Sequence, residues 1–297
     1  MKKLIILVGP TGSGKTHVSI ELAKTFGCEI INGDSVQVYK RLDIGSAKIK
    51  ESDMMGVKHH LLDMKDPKDN YSVFEFQKDV RKLIEEIKLP MIVGGTGFYI
   101  NAAISKFEFV EEKRDASFDL DHETYSNLEL YQKLIKLDPD IIIDGNNRRR
   151  VLRALEQAMA GTPRSTKNKK DERLFDPLII YLDLDKDILT KRLNLRLEKQ
   201  LEEGFIEEVK ALKEEGIIIN AIGYREINRY LDGLLTYDEM KEEIIKVSRK
   251  LAKKQKTYFI NQMKPLVYNA LSDTLIDDLK KAIKAYVEED DERNSNT

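Results

Sequence analysis

The chain alternates short, wholly apolar runs with longer stretches in which apolar residues recur every three or four positions. Leu4–Val8 reads Leu-Ile-Ile-Leu-Val without a polar interruption, the pattern of a strand buried on both faces. A helix-like stretch follows at Val18–Lys24, then a second short strand at Glu29–Asn32. Tyr71–Lys88 places Val73, Phe76, Val80, Leu83, Ile84 and Ile87 along one helical face, with Ser72 as its N-cap. Pro90–Val93 is a third buried strand. This rhythm predicts a parallel sheet covered by helices.

The rhythm breaks near residue 105. From about 107 to 175 the chain is polar and helical in character, with one helix predicted over Glu123–Leu137. Another, capped by Asn146 or Asn147, runs through Val151–Leu155 to Gly161. Leu178–Leu182, announced by Pro177, returns as a core strand. The expectation is an α/β core formed by 1–106 and 176–297, with 107–175 as a helical insertion. Helical blocks then fall near 186–203, 205–215, 223–232 and 237–262. A short strand at Leu266–Tyr268 and a helix over Asp273–Val287 follow. Five consecutive acids, Glu288 to Glu292, lead into 288–297, which reads as a disordered tail. No internal repeat is visible.

Composition narrows the class without naming it. The chain has 297 residues, 41% hydrophobic and 34% charged, with a formal net charge of −2. No apolar run is long enough to span a membrane, and the N-terminal one is too short for a signal peptide. The single cysteine, Cys28, excludes an intrachain disulfide framework and a cysteine-rich zinc site. A cytoplasmic, monomeric protein is the expectation. Charge is more telling locally. Residues 148–173 hold nine basic side chains against three acidic ones, and 246–256 hold six basic and no acidic ones. Two such windows fit either a focused polyanion site or two solvated helix faces.

The chemistry begins right after the first strand. Gly9-Pro10-Thr11-Gly12-Ser13-Gly14-Lys15-Thr16 fills every fixed position of the phosphate-binding loop G-x-x-x-x-G-K-[ST], in the strand–loop–helix context that motif needs. Gly12 and Gly14 allow the backbone to turn its amides toward anionic oxygens, and the following helix adds its positive end. Lys15 supplies a cation, and the Thr16 hydroxyl can hold a Mg²⁺ bridging those oxygens. The loop specifies a di- or triphosphate. Although shared with ATP-binding proteins, it does not specify ATP.

In open parallel sheets ligands sit beyond the carboxyl ends of the strands. The second strand ends in Asp34-Ser35-Val36-Gln37 and the third in Gly94-Gly95-Thr96-Gly97. An aspartate there serves to hold a metal indirectly or to accept a proton from a nucleophile; it also suits a turn cap. The glycine run suits a tight turn or close backbone approach to a ligand. His59-His60, with no matching His or Cys cluster, reads as structural or supporting.

Taken in order, these segments resemble the bacterial tRNA dimethylallyltransferases (tRNA isopentenyltransferases). The matching pieces are Gly9–Thr16, Asp34–Tyr39, Asp43–Lys48, His59–Asp63, Val93–Tyr99, Asn146–Glu156, Ala221–Glu226 and Arg249–Gln255. The resemblance implies transfer of a dimethylallyl group from dimethylallyl diphosphate to the exocyclic amine of the adenosine just 3′ of a tRNA anticodon. The fold implied is a P-loop NTPase-like one, its loop holding the diphosphate. Asp34 would be the general base and Thr96 would lie beside the reacting centre. Lys15 and Arg225 would stabilise charge growing on the diphosphate, and Thr16 would hold Mg²⁺. Ser35, Val36 and Gln37 would meet the flipped-out adenosine. Arg149 and Arg150 would contact the anticodon region, with Arg148 and Arg153 in the same tRNA-binding set, and the insertion would grip the stem. Gly12 stands where alanine is common in the family, and Lys58 where proline often precedes the two histidines. The competing reading is a small-molecule kinase of the nucleotide or shikimate kinase kind. It accounts for the loop, the aspartate and the strand-plus-helix at Leu178–Arg196, but not for the basic windows or the 94–99 segment.

Overall fold

The computed structural model describes residues 1–107, 109, 116–165 and 172–294. Six parallel strands form one sheet in the order β3-β2-β4-β1-β5-β6. They are β1 (Lys3–Val8), β2 (Glu29–Gly33), β3 (His59–His60), β4 (Pro90–Gly94), β5 (Asp176–Asp183) and β6 (Leu266–Asn269). Leu4 to Val8 are completely buried, as the unbroken apolar run requires of a central strand covered on both sides. Ile5, Leu7, Ile30, Ile180 and Leu182 share a core with Val18 and Leu22 of α1 (Lys15–Phe26) and with Leu279 and Ile283 of α11 (Leu275–Asn294). Alternate strand residues face the other way, where Tyr181 meets Phe259 with ring centroids 6.0 Å apart.

Register decides where the site falls. Val8 of β1 pairs with Gly94 of β4, and Gly94 with Gly33 of β2. Three strands therefore end level, and their next residues begin the phosphate loop, Asp34 and the Gly95-Thr96 turn. α2 (Val73–Glu86) starts at Ser72 through a reciprocal capping box with Glu75. After β4 the chain enters α3 (Gly97–Ile104), an apolar helix whose Ile100, Ala102, Ala103 and Ile104 are buried. Its lack of a polar face left no periodic signal in the sequence.

The chain divides into two compact units, 1–104 with 175–297, and 105–174. The second unit packs α5 (Asn127–Leu137) on α6 (Arg148–Met159) through Leu130, Leu134, Val151, Leu152 and Leu155. The helix expected over Glu123–Leu137 starts later, at Asn127. The Ser126–Glu129 capping box fixes that start, and a separate short α4 (Ala116–Asp121) precedes it.

In the first unit β5 leads into α7 (Lys186–Glu202), α8 (Phe205–Glu214), α9 (Tyr224–Leu231) and α10 (Tyr237–Tyr258), closed by a π turn at Phe259–Met263. Their shared core of Leu197, Phe205, Val209, Tyr224, Ile227, Met240 and Ile244 also takes in Leu42. The acidic run expected as a tail instead continues α11 to Asn294. Glutamate is a good helix former, and extending an existing helix fixes only one residue per new bond. No described helix is long and apolar enough to cross a membrane.

Candidate phosphate cleft and reacting centre

The loop after β1 is shaped by glycine where nothing else fits. Gly12 and Gly14 have φ near +87° and +88°, a region closed to most side chains. A Cβ on Gly9 would lie 2.7 Å from the Leu182 carbonyl oxygen and 2.9 Å from Ser13 Oγ. Gly14 is the N-cap of α1, so the free amides of the first turn open toward the loop. Ser13 Oγ is buried and has no hydrogen-bond partner among the described residues. Such an atom is expensive to leave alone, and it suits a ligand oxygen.

Lys15 folds back over this loop, its Nζ donating to Gly9 O at 2.8 Å and Pro10 O at 2.9 Å. Burial and, next, the Arg196 guanidinium lower its pKa to about 8, against an opposing pull from Asp34. Two arginines on α7 complete the cationic wall. Arg192 Nη1 donates to Gly12 O at 2.8 Å, and Arg196 Nη2 donates to Ser46 O at 3.3 Å. Burial depresses the Arg196 pKa, opposed by Asp34. The sequence reading placed neither arginine in the site. Their i, i+4 spacing on one helix face was the available signal.

Asp34 is set by its neighbours. Its amide donates to Asn32 Oδ1 at 3.0 Å, and its own Oδ1 accepts from Val36 N at 2.8 Å. Buried Asn32 also donates to the carbonyls of Asp34 and Leu61, each at 3.0 Å. Asp34 Oδ2 accepts no hydrogen bond from a described residue and stays available. Thr96 is brought alongside by the glycines. A Cβ on Gly94 would collide with the Gly33 backbone, so only glycine permits this approach. Thr96 N then donates to Gly33 O, and Thr96 Oγ1 accepts from Ser35 N, both at 3.3 Å. α10 holds the turn from behind. Gln255 Nε2 donates to Gly95 O at 2.9 Å, and the Tyr258 ring fills the space beside Gly97.

Ser35, Val36 and Gln37 are half-buried beside this centre. Gln37 Nε2 donates to Ser46 O at 3.1 Å. The 43–46 segment is itself clamped. Glu208 on α8 accepts from the amides of Asp43, Ile44 and Gly45 and from Tyr224 Oη at 2.6 Å.

Other expected residues stand differently. Arg225 donates from Nε and Nη2 to Glu226 Oε1, at 3.0 and 2.5 Å, on its own helix. It makes no hydrogen bond to the loop among the described residues, whereas Arg192 bonds Gly12 O there and Arg196 bonds Ser46 O. In the second unit Arg148 is occupied internally, donating to the carbonyls of His122, Glu123 and Tyr125 and to Asn127 Oδ1. It closes the turn between α4 and α5. Arg153 pairs with Glu156 at 2.5 Å. Arg149 and Arg150 are exposed. Lys167, Lys169 and Lys170 of the same basic window lie outside the described residues. His60 Nε2 meets Glu29 Oε2 at 2.6 Å, and His59 Nδ1 meets Val57 O.

A phosphate loop between the first strand and first helix of a parallel sheet, with cations on one side and an open carboxylate on the other, defines a P-loop NTPase-like α/β protein built to act on a phosphate ester. Residues 37–262 match the IPP transferase family model, and the chain belongs to that family. It is 50% identical to the tRNA dimethylallyltransferase of Acholeplasma laidlawii over 97% of this chain and 99% of that protein. The tRNA dimethylallyltransferase of Bacillus subtilis is 43% identical over 88% of each. The crystal structure of the full-length tRNA isopentenylpyrophosphate transferase of Bacillus halodurans superposes with a TM-score of 0.77 at 37% identity, covering 99% of this chain and 100% of that one. A eukaryotic dimethylallyltransferase acting on tRNA gives a TM-score of 0.83 at 28% identity, covering 99% and 80%.

Proposed function

We propose that this enzyme transfers a dimethylallyl group from dimethylallyl diphosphate to the exocyclic amine of the adenosine 3′ to the anticodon of tRNA, releasing diphosphate. One observation carries the reading. The cationic loop and the open Oδ2 of Asp34 lie beyond the level ends of β1, β2 and β4, so a leaving anion and a proton acceptor share one cleft. A kinase would use the same loop, but the family of the chain favours the prenyl donor.

The chemistry follows from the charges. The allylic C–O bond breaks and both its electrons leave with the diphosphate. Lys15, Arg192 and Arg196 face the place where that charge grows, and preorganised cations are worth most there. The adenosine nitrogen forms the new C–N bond and gives up a proton to Asp34 Oδ2. Thr96, held against Gly33 and Ser35, lines the meeting point, and Ser35, Val36 and Gln37 border the space for the base. A nucleotide taken out of its stack reaches such a pocket.

No group of three or more His, Cys, Asp or Glu side chains able to hold a metal exists among the described residues. The donor set is one exposed hydroxyl, Thr16 Oγ1. That fits Mg²⁺, which commonly keeps its waters and binds through substrate phosphates with few protein ligands. When bound there, the ion would neutralise part of the diphosphate charge.

The second unit, with Arg149 and Arg150 on its surface, is assigned to the anticodon stem-loop. The test is nucleoside analysis of tRNA after incubation with labelled dimethylallyl diphosphate. Prenylated adenosine is expected. ATP hydrolysis or phosphoryl transfer without prenylation would overturn the reading.

A further inference from the structure

Residues 43–47 form neither strand nor helix, so their main-chain groups find partners one by one. Glu208 of α8 meets three amides in a row. Its Oε2 accepts from Asp43 N at 2.9 Å and Ile44 N at 2.8 Å, and its Oε1 accepts from Gly45 N at 3.1 Å. Tyr224 Oη, at the start of α9, donates to the same Oε1 at 2.6 Å. Aromatic packing seats the segment against this carboxylate. A Cβ on Gly45 would strike the Phe205 and Tyr224 rings, which meet edge-on with centroids 5.0 Å apart. From the other side Gln200 Nε2 donates to Ile44 O at 2.5 Å and Gly45 O at 3.0 Å.

The segment passes this order on to the site. The carbonyls of Ser46 and Ala47 accept from Gln37 Nε2, at 3.1 and 3.5 Å. Carbonyl oxygens only accept, so the nitrogen end of the Gln37 amide is the end that can meet them. Gln37 Oε1 is thereby left as a free acceptor, taking no hydrogen bond from a described residue. An acceptor fixed in this way selects a ligand with an N–H donor. Adenine carries one such donor group on its edges, the exocyclic amine.

We propose that Glu208 is a positioning residue that sets base selectivity. By clamping the amides of 43–45 it fixes the Ser46 and Ala47 carbonyls. These turn the Gln37 amide so that its oxygen meets the exocyclic amine of the target base. Glu208 acts only through this segment, since its oxygens are spent on protein donors. The proposal rests on the tRNA reading above and deepens it.

The test uses Glu208→Gln, Gln37→Leu and the double variant. Glutamine offers one acceptor oxygen where glutamate has two, and its NH2 group would face amides that also donate. Equilibrium binding is measured with an anticodon stem-loop RNA carrying adenosine at the target position, and with the same RNA carrying purine riboside, which lacks the amine. Wild type should favour adenosine about 2–10-fold, the range of one net hydrogen bond. Each single variant should bring that ratio close to one, and the double variant should change it no further. Single-turnover transfer should fall about 10–10²-fold in Glu208→Gln, the scale of a misplaced contact. Adding Gln37→Leu should then cost no more than about twofold. A Glu208→Gln variant that binds both RNAs more weakly at the wild-type ratio would make the clamp merely structural and overturn the proposal. So would a wild-type ratio in Gln37→Leu, which leaves α8 untouched and tests the link even if Glu208→Gln fails to fold. Absence of prenylation by the wild-type enzyme would instead remove the reaction, and the binding ratios would still decide the role of Glu208.

Discussion

The protein prepares for anions in two contrasting ways. The loop at residues 9–16 uses fixed main chain, a half-buried lysine and arginines held on backbone carbonyls. The faces of α6 and α10 use exposed side chains in open solvent. The first arrangement loses little order when a ligand arrives and is shielded from salt, so its charges act strongly on a small group at a set distance. The second is screened within about a Debye length, ~10 Å at 0.1 M. It therefore suits a long polyanion, where many weak contacts add and each releases a counterion. Catalytic effects should concentrate in the first region, and salt-dependent affinity in the second.

The largest separation is expected at the reacting centre. Asp34→Asn keeps an oxygen for Val36 N but removes the proton acceptor. Single-turnover transfer should fall about 10²–10⁴-fold, with tRNA affinity nearly unchanged. If the rate survives and tRNA affinity falls, Asp34 only positions the loop. Lys15→Ala should lower kcat by about 10²–10³, the range for losing one preorganised charge-stabilising donor, again without changing the salt slope for tRNA. A flatter slope in that variant would break the division between the two regions.

The lysine also gives the first region a pH signature. In the free enzyme the Lys15 pKa is lowered to about 8, first by burial and then by Arg196. A bound diphosphate favours the charged form and raises that pKa, so binding takes up a proton once the free lysine is neutral. Below pH 8 this group contributes no pH dependence. Above it, diphosphate affinity should fall by up to about tenfold per pH unit. Calorimetric titration between pH 7 and 9.5 measures this. Constant affinity across that range would exclude Lys15 as the titrating group.

How far each region was legible in the sequence follows from the same contrast. The phosphate loop and the Gly94-Gly95 turn were readable because main-chain geometry demands glycine at fixed offsets. Gly12 and Gly14 need positive φ, and Gly94 tolerates no Cβ against Gly33. Leu4–Val8 of β1 and Pro90–Val93 of β4 were readable because burial on both faces leaves no polar residue there. Arg192 and Arg196 share one helix face, but their spacing does not say which carbonyls they meet, Gly12 O 180 positions earlier and Ser46 O 150 positions earlier. Arg148 shows what charge density leaves unsaid. Three consecutive arginines look alike in sequence, yet the carbonyls at 122–125 claim one of them. Charge density marks a basic surface, while tertiary hydrogen bonds decide which of its side chains remain free to bind.

That distinction supplies the smallest and most discriminating prediction. Arg149→Gln/Arg150→Gln removes two exposed cations without touching a described hydrogen bond of their side chains. It should weaken tRNA binding several-fold and flatten the salt slope by about 1.4–1.8, with Tm unchanged and KM for dimethylallyl diphosphate unaltered. Arg148→Gln should do the opposite. It strips donors from the carbonyls after α4, so Tm should fall, with about 0.5–1.5 kcal/mol lost per net hydrogen bond. The salt slope should stay near wild type in the folded fraction. Salt titrations of both variants, read beside their melting curves, separate the two behaviours. Equal flattening by Arg148→Gln and by the 149/150 pair, at equal Tm, would mean that the arginine seen tying down the 122–127 turn turns outward when RNA is present. The insertion would then engage its substrate by rearranging, in contrast to the preformed loop.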